Sequence, residues 1–150
     1  IMKNLSFYCN IWQIFFTNQQ YVNCGTGGDC TQNVLWRAKN LVLSASIKSV
    51  FILCGTNNLG NHPIEIANII IFIAIHFAKK YSNRKVFLSG LLPRESANSN
   101  KRVSLEYVNH HVELFCKNNA GFHYVDMGED WKNKDGSLRE YIYSSKASYI

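Results

Sequence analysis

Two segments rich in glycine and asparagine carry the residue types from which a carbonyl-activating site is built. Gly25-Thr26-Gly27-Gly28-Asp29 follows a short apolar run and precedes a helical pattern, so its backbone N–H groups can face an anion or a developing oxyanion at a helix N-terminus. Gly55-Thr56-Asn57-Asn58 follows a longer apolar run and offers side-chain amides, which either cap a turn or point neutral donors into the same crevice. Two neutral donor sets at adjacent strand ends suit acyl transfer, because they polarise a carbonyl without a competing charge. Removing one such donor typically costs about 3 kcal/mol of transition-state stabilisation. Each segment taken alone is also an ordinary strand-to-helix turn, and neither has the spacing of a dinucleotide loop or a P-loop. Among the histidines, His62 and His123 fall nearest the crevice by position; these two, with His76, His110 and His111, read first as surface or packing residues.

The elements that must hold these loops follow from periodicity. Leu5 to Phe16 reads as a helix with Tyr8, Ile11, Trp12, Phe15 and Phe16 on one face. Tyr21 to Cys24 reads as a short strand entering the Gly25 loop, and Thr31 can cap the next helix, where Val34, Leu35 and Ala38 recur at helical spacing. Ile47 to Cys54 ends in a continuous apolar run, the pattern expected of a strand buried on both faces. A helix from Pro63 to Tyr81, a strand from Lys85 to Ser89, a helix from Lys101 to Asn118 and a strand from Phe122 to Val125 complete the series. In the third of these, Val103, Leu105, Val108, Val112 and Phe115 are expected to turn inward. Trp12 and Trp36 read as helix-packing residues, Trp131 as a loop anchor, and Arg37 and Arg94 as residues that hold loops. The alternation predicts a parallel sheet with right-handed crossovers and helices on both faces, whose chemistry lies beyond the carboxyl ends of the strands.

The bulk properties narrow the function classes. A chain of 150 residues with 47% hydrophobic content closes one core, so a single domain over residues 1–150 is expected. The net charge of +6 raises nucleic acid as a partner. The cations are scattered, however, as Lys79-Lys80, Arg84-Lys85 and Lys101-Arg102, without a long basic tract. The 5 cysteines include no C-x-x-C pair, which argues against a disulfide framework and a zinc site. With no uninterrupted signal-peptide core visible, a reducing cytoplasmic setting is expected. Ile64 to Ala78 is interrupted by Glu65, Asn68 and His76 and is shorter than the roughly 20 residues of a membrane span, so a core helix is expected there and no membrane span.

With these segments in place, VNCGTGGDCTQNVLWR at Val22 to Arg37, VFILCGTNN at Val50 to Asn58 and VFLSGLLPR at Val86 to Arg94 resemble, in order, the blocks of the SGNH (GDSL-like) ester hydrolases. Within that family they are most similar to the brain-type platelet-activating factor acetylhydrolase branch. The resemblance implies a flavodoxin-like three-layer α/β/α sandwich, a small acyl-ester substrate, no cofactor, and a dimeric assembly as in those acetylhydrolases. It also implies that Gly28 supplies a backbone oxyanion donor and Asn57 a side-chain donor.

The departures from the pattern are as informative. The family's nucleophile lies in a Gly-Asp-Ser turn, and no such triplet occurs among these residues; Ile1 to Trp12 resembles the family's segment immediately downstream of that serine. The resemblance therefore implies a domain read without its first strand. Where the family carries Asp-x-x-His, this chain reads Glu140-Tyr141-Ile142-Tyr143. Glu140 preserves the acid's charge, but a tyrosine with a pKa near 10 stays protonated near pH 7 and cannot take a serine proton. The expectation is an ester hydrolase domain inactive as this chain, with a non-catalytic binding module bearing a basic surface as the alternative.

Overall fold

The computed structural model describes residues 21–139. Helix α1 spans Thr31–Asn40, strand β1 Ser49–Ile52, helix α2 Pro63–Lys80, strand β2 Lys85–Ser89, helix α3 Asn100–Asn118 and strand β3 Phe122–Val125. Short 3-10 turns at Thr56–Asn58 and Glu129–Trp131 follow β1 and β3. The strands form one parallel sheet in the order β1-β2-β3. The expected α/β class with a parallel sheet is therefore the one observed.

Topology decides where the helices lie. The chain moves in one direction across the sheet, so two crossovers of the same hand place α2 and α3 on the same face. Accordingly α2 packs on β1 and β2, α3 on β3 and α2, and α1 on the other flank of α2. The helices among the described residues thus cover one face of the sheet rather than both. Register separates the two faces cleanly. Ile52 pairs with Leu88 and Leu88 with Tyr124, a row turned toward the helices, while Phe51, Phe87 and His123 form the neighbouring row on the opposite face. Leu88 is fully buried, whereas Phe51 is 45% exposed, and the Phe87 and His123 rings stack at 4.9 Å.

The core is organised on α2, where Ile66, Ala67, Ile70, Ile73, Ala74 and Phe77 repeat at helical spacing and are all buried. Pro63 opens this helix at a position where its missing N–H costs nothing. Loss of one of the isoleucine side chains would remove the transfer energy and leave a cavity, typically about 2–5 kcal/mol. Helix α3 is capped by Ser99, whose Oγ accepts from the Arg102 N–H at 3.1 Å.

Several sequence expectations are corrected. Tyr21–Cys24 is not a strand: the Asn23 side chain accepts from the Gly25 N–H at 2.9 Å and turns the chain, and the Cys24 carbonyl is taken by Arg37 rather than by a ladder partner. On α3 the inward phase is set by Arg102, Leu105, Val108 and Val112, while Val103 is 58% exposed. Trp36 stands on the outward side of α1 and packs little, being 68% exposed. Cys30 is the N-cap of α1, and Thr31 is its first helical residue. The expected helix over Leu5 to Phe16 lies outside the described residues.

The buried Cys116 thiol and the half-buried Cys54 thiol give the fold a pH signature. Burial pushes Cys54 up to about 12 and Cys116 up to about 11. In the unfolded chain both ionise from about pH 8.5. Folding stability is therefore complete below that pH and falls as the pH rises through the window toward 11–12, because only the unfolded chain gains the thiolates. Iodoacetamide at pH 8 is expected to modify exposed Cys24 in the native chain and to spare Cys54 and Cys116, which react once urea unfolds it; mass spectrometry of the alkylated peptides checks this.

Candidate functional site

The loop at the carboxyl end of β1 and the loop entering α1 carry the candidate residues. After β1 the chain turns at Gly55, whose φ of 121° lies outside the range of ordinary L residues. A Cβ there would meet Ile66, Ile70 and Leu91 side-chain atoms at 3.1–3.3 Å, so the loop can press on the core only as glycine. The Gly55 carbonyl accepts from the Asn58 N–H at 2.9 Å, and the Asn58 carbonyl from the Asn61 N–H at 2.7 Å. These two bonds close the turn that presents Asn57 and Asn58.

The two asparagines have opposite roles. Asn58 is buried and bridges to the start of α1: its Oδ1 accepts from the Thr31 N–H at 2.8 Å and its Nδ2 donates to Gln32 Oε1 at 3.0 Å. One of the orphan N–H groups of the first helical turn is thereby satisfied from a different loop. Asn57 is exposed and donates from Nδ2 to the Asp29 carbonyl at 3.0 Å. Its amide has two hydrogens, so the second remains available to a group in the crevice.

Opposite Asn57 lies the glycine loop. Gly28 has a φ of 81°, a conformation that turns the chain tightly just before α1. The Asp29 N–H closes this turn on the Thr26 carbonyl at 3.3 Å. Arg37, in the last turn of the helix, reaches back and donates to both the Cys24 carbonyl and the Asp29 carboxylate, tying the two ends of the loop to one guanidinium. Asn33 Oδ1 accepts from the Cys30 N–H at 3.0 Å, and Cys30 Sγ contacts the Asn57 carbonyl at 3.7 Å. The structure thus brings Gly28 and Asn57 together, Asn57 being bonded to the residue that follows Gly28.

The other sequence candidates are dispersed. His62 is the exposed N-cap of α2, His76 lies along that helix, His110 and His111 lie on α3 with His111 stacked on Tyr107 at 4.9 Å, and His123 stacks on Phe87 across the sheet. Glu140 and the Tyr143 register fall outside the described residues. Among the described residues no group of His, Cys, Asp and Glu is placed to hold a metal ion. Arg37 holds a loop as expected. Around Arg94 the holding residue is instead Arg102, whose Nε donates to the Arg94 carbonyl at 3.1 Å and Nη2 to the Glu95 carbonyl at 2.9 Å. Asn109 performs the same service for Leu91, accepting from its N–H at 2.6 Å and donating to its carbonyl at 3.0 Å. Tyr124 lies over Gly90 beside this loop, and burial, reinforced by Asp126, pushes its phenol upward.

Comparison with known proteins gives the context of these loops. No protein-family model matches the chain. Over 154 residues it is 29% identical to the platelet-activating factor acetylhydrolase IB subunit alpha1 of Bos taurus, an alignment covering 99% of this chain and 66% of that protein. It is 31% identical over 129 residues to the alpha2 subunit of Gallus gallus, covering 85% of this chain and 56% of the relative. The chain therefore spans about two thirds or less of these relatives. Among solved structures, one named for a platelet activating factor from Streptococcus pneumonia superposes with a TM-score of 0.79 at 18% identity, covering 95% of this chain and 71% of that one. The chain is homologous to the acetylhydrolase IB subunits, and the solved structure shares its fold.

Proposed function

Starting from homology to the platelet-activating factor acetylhydrolase IB subunits, we propose that residues 1–150 belong to one SGNH-type ester hydrolase domain that binds a small acyl ester in the crevice between the Gly25 and Gly55 loops, in a reducing cytoplasmic setting. The observation that carries this reading is the pairing of the Gly28 turn with the Asn57 amide, held through Asp29. In the family's reaction, a serine oxygen adds to the ester carbonyl carbon and the π electrons move onto the carbonyl oxygen. The Gly28 N–H and the second Asn57 amide hydrogen donate to that oxyanion. Collapse re-forms the carbonyl and expels the alkoxide, which takes the proton that left the serine by way of a histidine paired with an acid; water then adds to the acyl-serine by the same steps, its proton returns to the serine oxygen, and the carboxylic acid leaves. Neutral donors suit this step because the negative charge appears only in the transition state and intermediate.

Within these residues the Gly-Asp-Ser triplet is absent, and Glu140-x-x-Tyr143 stands where the family has Asp-x-x-His. This polypeptide by itself is therefore expected to show no saturable, site-dependent hydrolysis of a short-chain aryl ester. Robust turnover abolished by Asn57→Ala would overturn the inactivity while supporting the oxyanion role, for which the loss expected is about 10²–10³-fold in kcat. A second reading, a non-catalytic binding module, is favoured by the net charge of +6. Salt-dependent retention of nucleic acid by the purified chain would support that reading.

A further inference from the structure

The outer side of the α1–α2 layer carries a patch that the crevice chemistry does not use. Trp36 and Lys39 lie one turn apart on α1, while Phe72 and Lys79 lie two turns apart on the outward side of α2. Trp36 is 68% exposed, Phe72 52% and Val42, just beyond α1, 83%. These are large apolar side chains at a proportion of exposure that core packing does not explain. The two helices are parallel neighbours and their C-terminal ends are fastened together. Lys80 Nζ donates to the Lys39 and Leu41 carbonyls at 3.0 and 2.8 Å, and Tyr81 Oη donates to the Leu41 carbonyl at 3.0 Å. Lys39, Lys79 and Lys80 therefore lie in the last turns of two helices whose C-terminal ends are joined.

Within the segment that carries this patch the charge is one-sided. Between Thr31 and Arg94, Glu65 is the only carboxylate side chain, and it sits in the first turn of α2, about 20 Å along the helix axis from Lys79. The carbonyls at the two helix C-termini favour the lysines locally, and this accounts for Lys80. It does not account for Trp36, Val42 and Phe72 beside them. From the combination we infer that this face docks on an anionic lipid surface, with Trp36, Phe72 and Val42 entering the interface and Lys39 and Lys79 meeting the headgroups. A second copy of the chain is disfavoured as the occupant because two such cationic faces repel. A duplex nucleic acid would satisfy the lysines but offers nothing apolar to Val42. The inference is independent of whether the crevice turns over an ester.

Vesicle sedimentation with the full chain tests it. The chain is expected to bind vesicles of phosphatidylcholine and phosphatidylserine in equal parts at least tenfold more strongly than pure phosphatidylcholine, by roughly fivefold per lysine, and to lose that preference in high salt. Lys39→Glu with Lys79→Glu should lower binding to the mixed vesicles at least tenfold, by the same rough scale. Trp36→Ser with Phe72→Ser should lower vesicle binding comparably while leaving retention on heparin unchanged, which separates a membrane from a polyanion. All four positions are solvent-facing, and an unchanged circular dichroism spectrum identifies folded variants. Equal binding to both vesicle types, wild-type vesicle binding by both double variants, or binding to heparin without binding to mixed vesicles would overturn the inference.

Discussion

Gly55→Ala is expected to destabilise the folded chain by about 3–5 kcal/mol, with a matching fall in the urea midpoint at unchanged slope. Two costs combine. A φ of 121° is a conformation alanine rarely adopts, and the new methyl would press on Ile66, Ile70 and Leu91 at 3.1–3.3 Å. Neither cost is easily relaxed, because Ile66, Ile70 and Leu91 belong to the core cluster beneath the loop. Domains are typically stable by about 5–15 kcal/mol, so this one methyl group would take a large share. The variant should also disturb the turn that presents Asn57 and Asn58, since Gly55 accepts its closing bond. A fall of less than about 1 kcal/mol would mean that the loop yields without the core, contrary to the packing described.

The second large effect is expected at Arg102. It is only 1% exposed, and its guanidinium is bonded to the carbonyls of Arg94 and Glu95. Arg102→Ala removes the packed aliphatic stem, opens a cavity and leaves those carbonyls without their donors, a combined loss of about 3–5 kcal/mol by urea unfolding. Arg102→Lys should recover part of the packing but not the forked bonding, because an ammonium cannot reproduce the planar fork of a guanidinium. Glu95 sits at a φ of 60° between these anchors, so the loop after β2 should lose protection from hydrogen exchange in both variants. If Arg102→Lys were as stable as the parent, the forked bonds would not be what holds this loop.

How much of this was legible in the sequence depended on whether a residue's role is local. Strands β2 and β3 were readable to the residue because their apolar runs end at polar and glycine punctuation and both become paired. Tyr21 to Cys24 has the same kind of run, yet no strand forms, because Asn23 turns the chain and Arg37 takes the Cys24 carbonyl. A strand needs an edge to join, and an apolar tetrapeptide says nothing about that. On α3, Val103 attracted the inward assignment by its side chain alone. The helical phase shared by Leu105, Val108 and Val112 instead carried Arg102 into the interior, where loop carbonyls could neutralise the cost of burial. The sequence placed Gly28 and Asn57 at adjacent strand ends, whereas the structure joins them through the Asn57 bond to the Asp29 carbonyl, with no strand among the described residues before the glycine loop. The bridging role of Asn58 was not visible, although the doubled asparagine was its one trace, since both partners are reached only through the fold.

Asn58 joins two segments through a single side-chain amide, with Thr31 on its oxygen and Gln32 on its nitrogen. The separation of the two loops is thereby gauged by the length of a side chain and not by the spacing of the sheet. A change of one methylene at position 58 would rescale the crevice while leaving every strand in register.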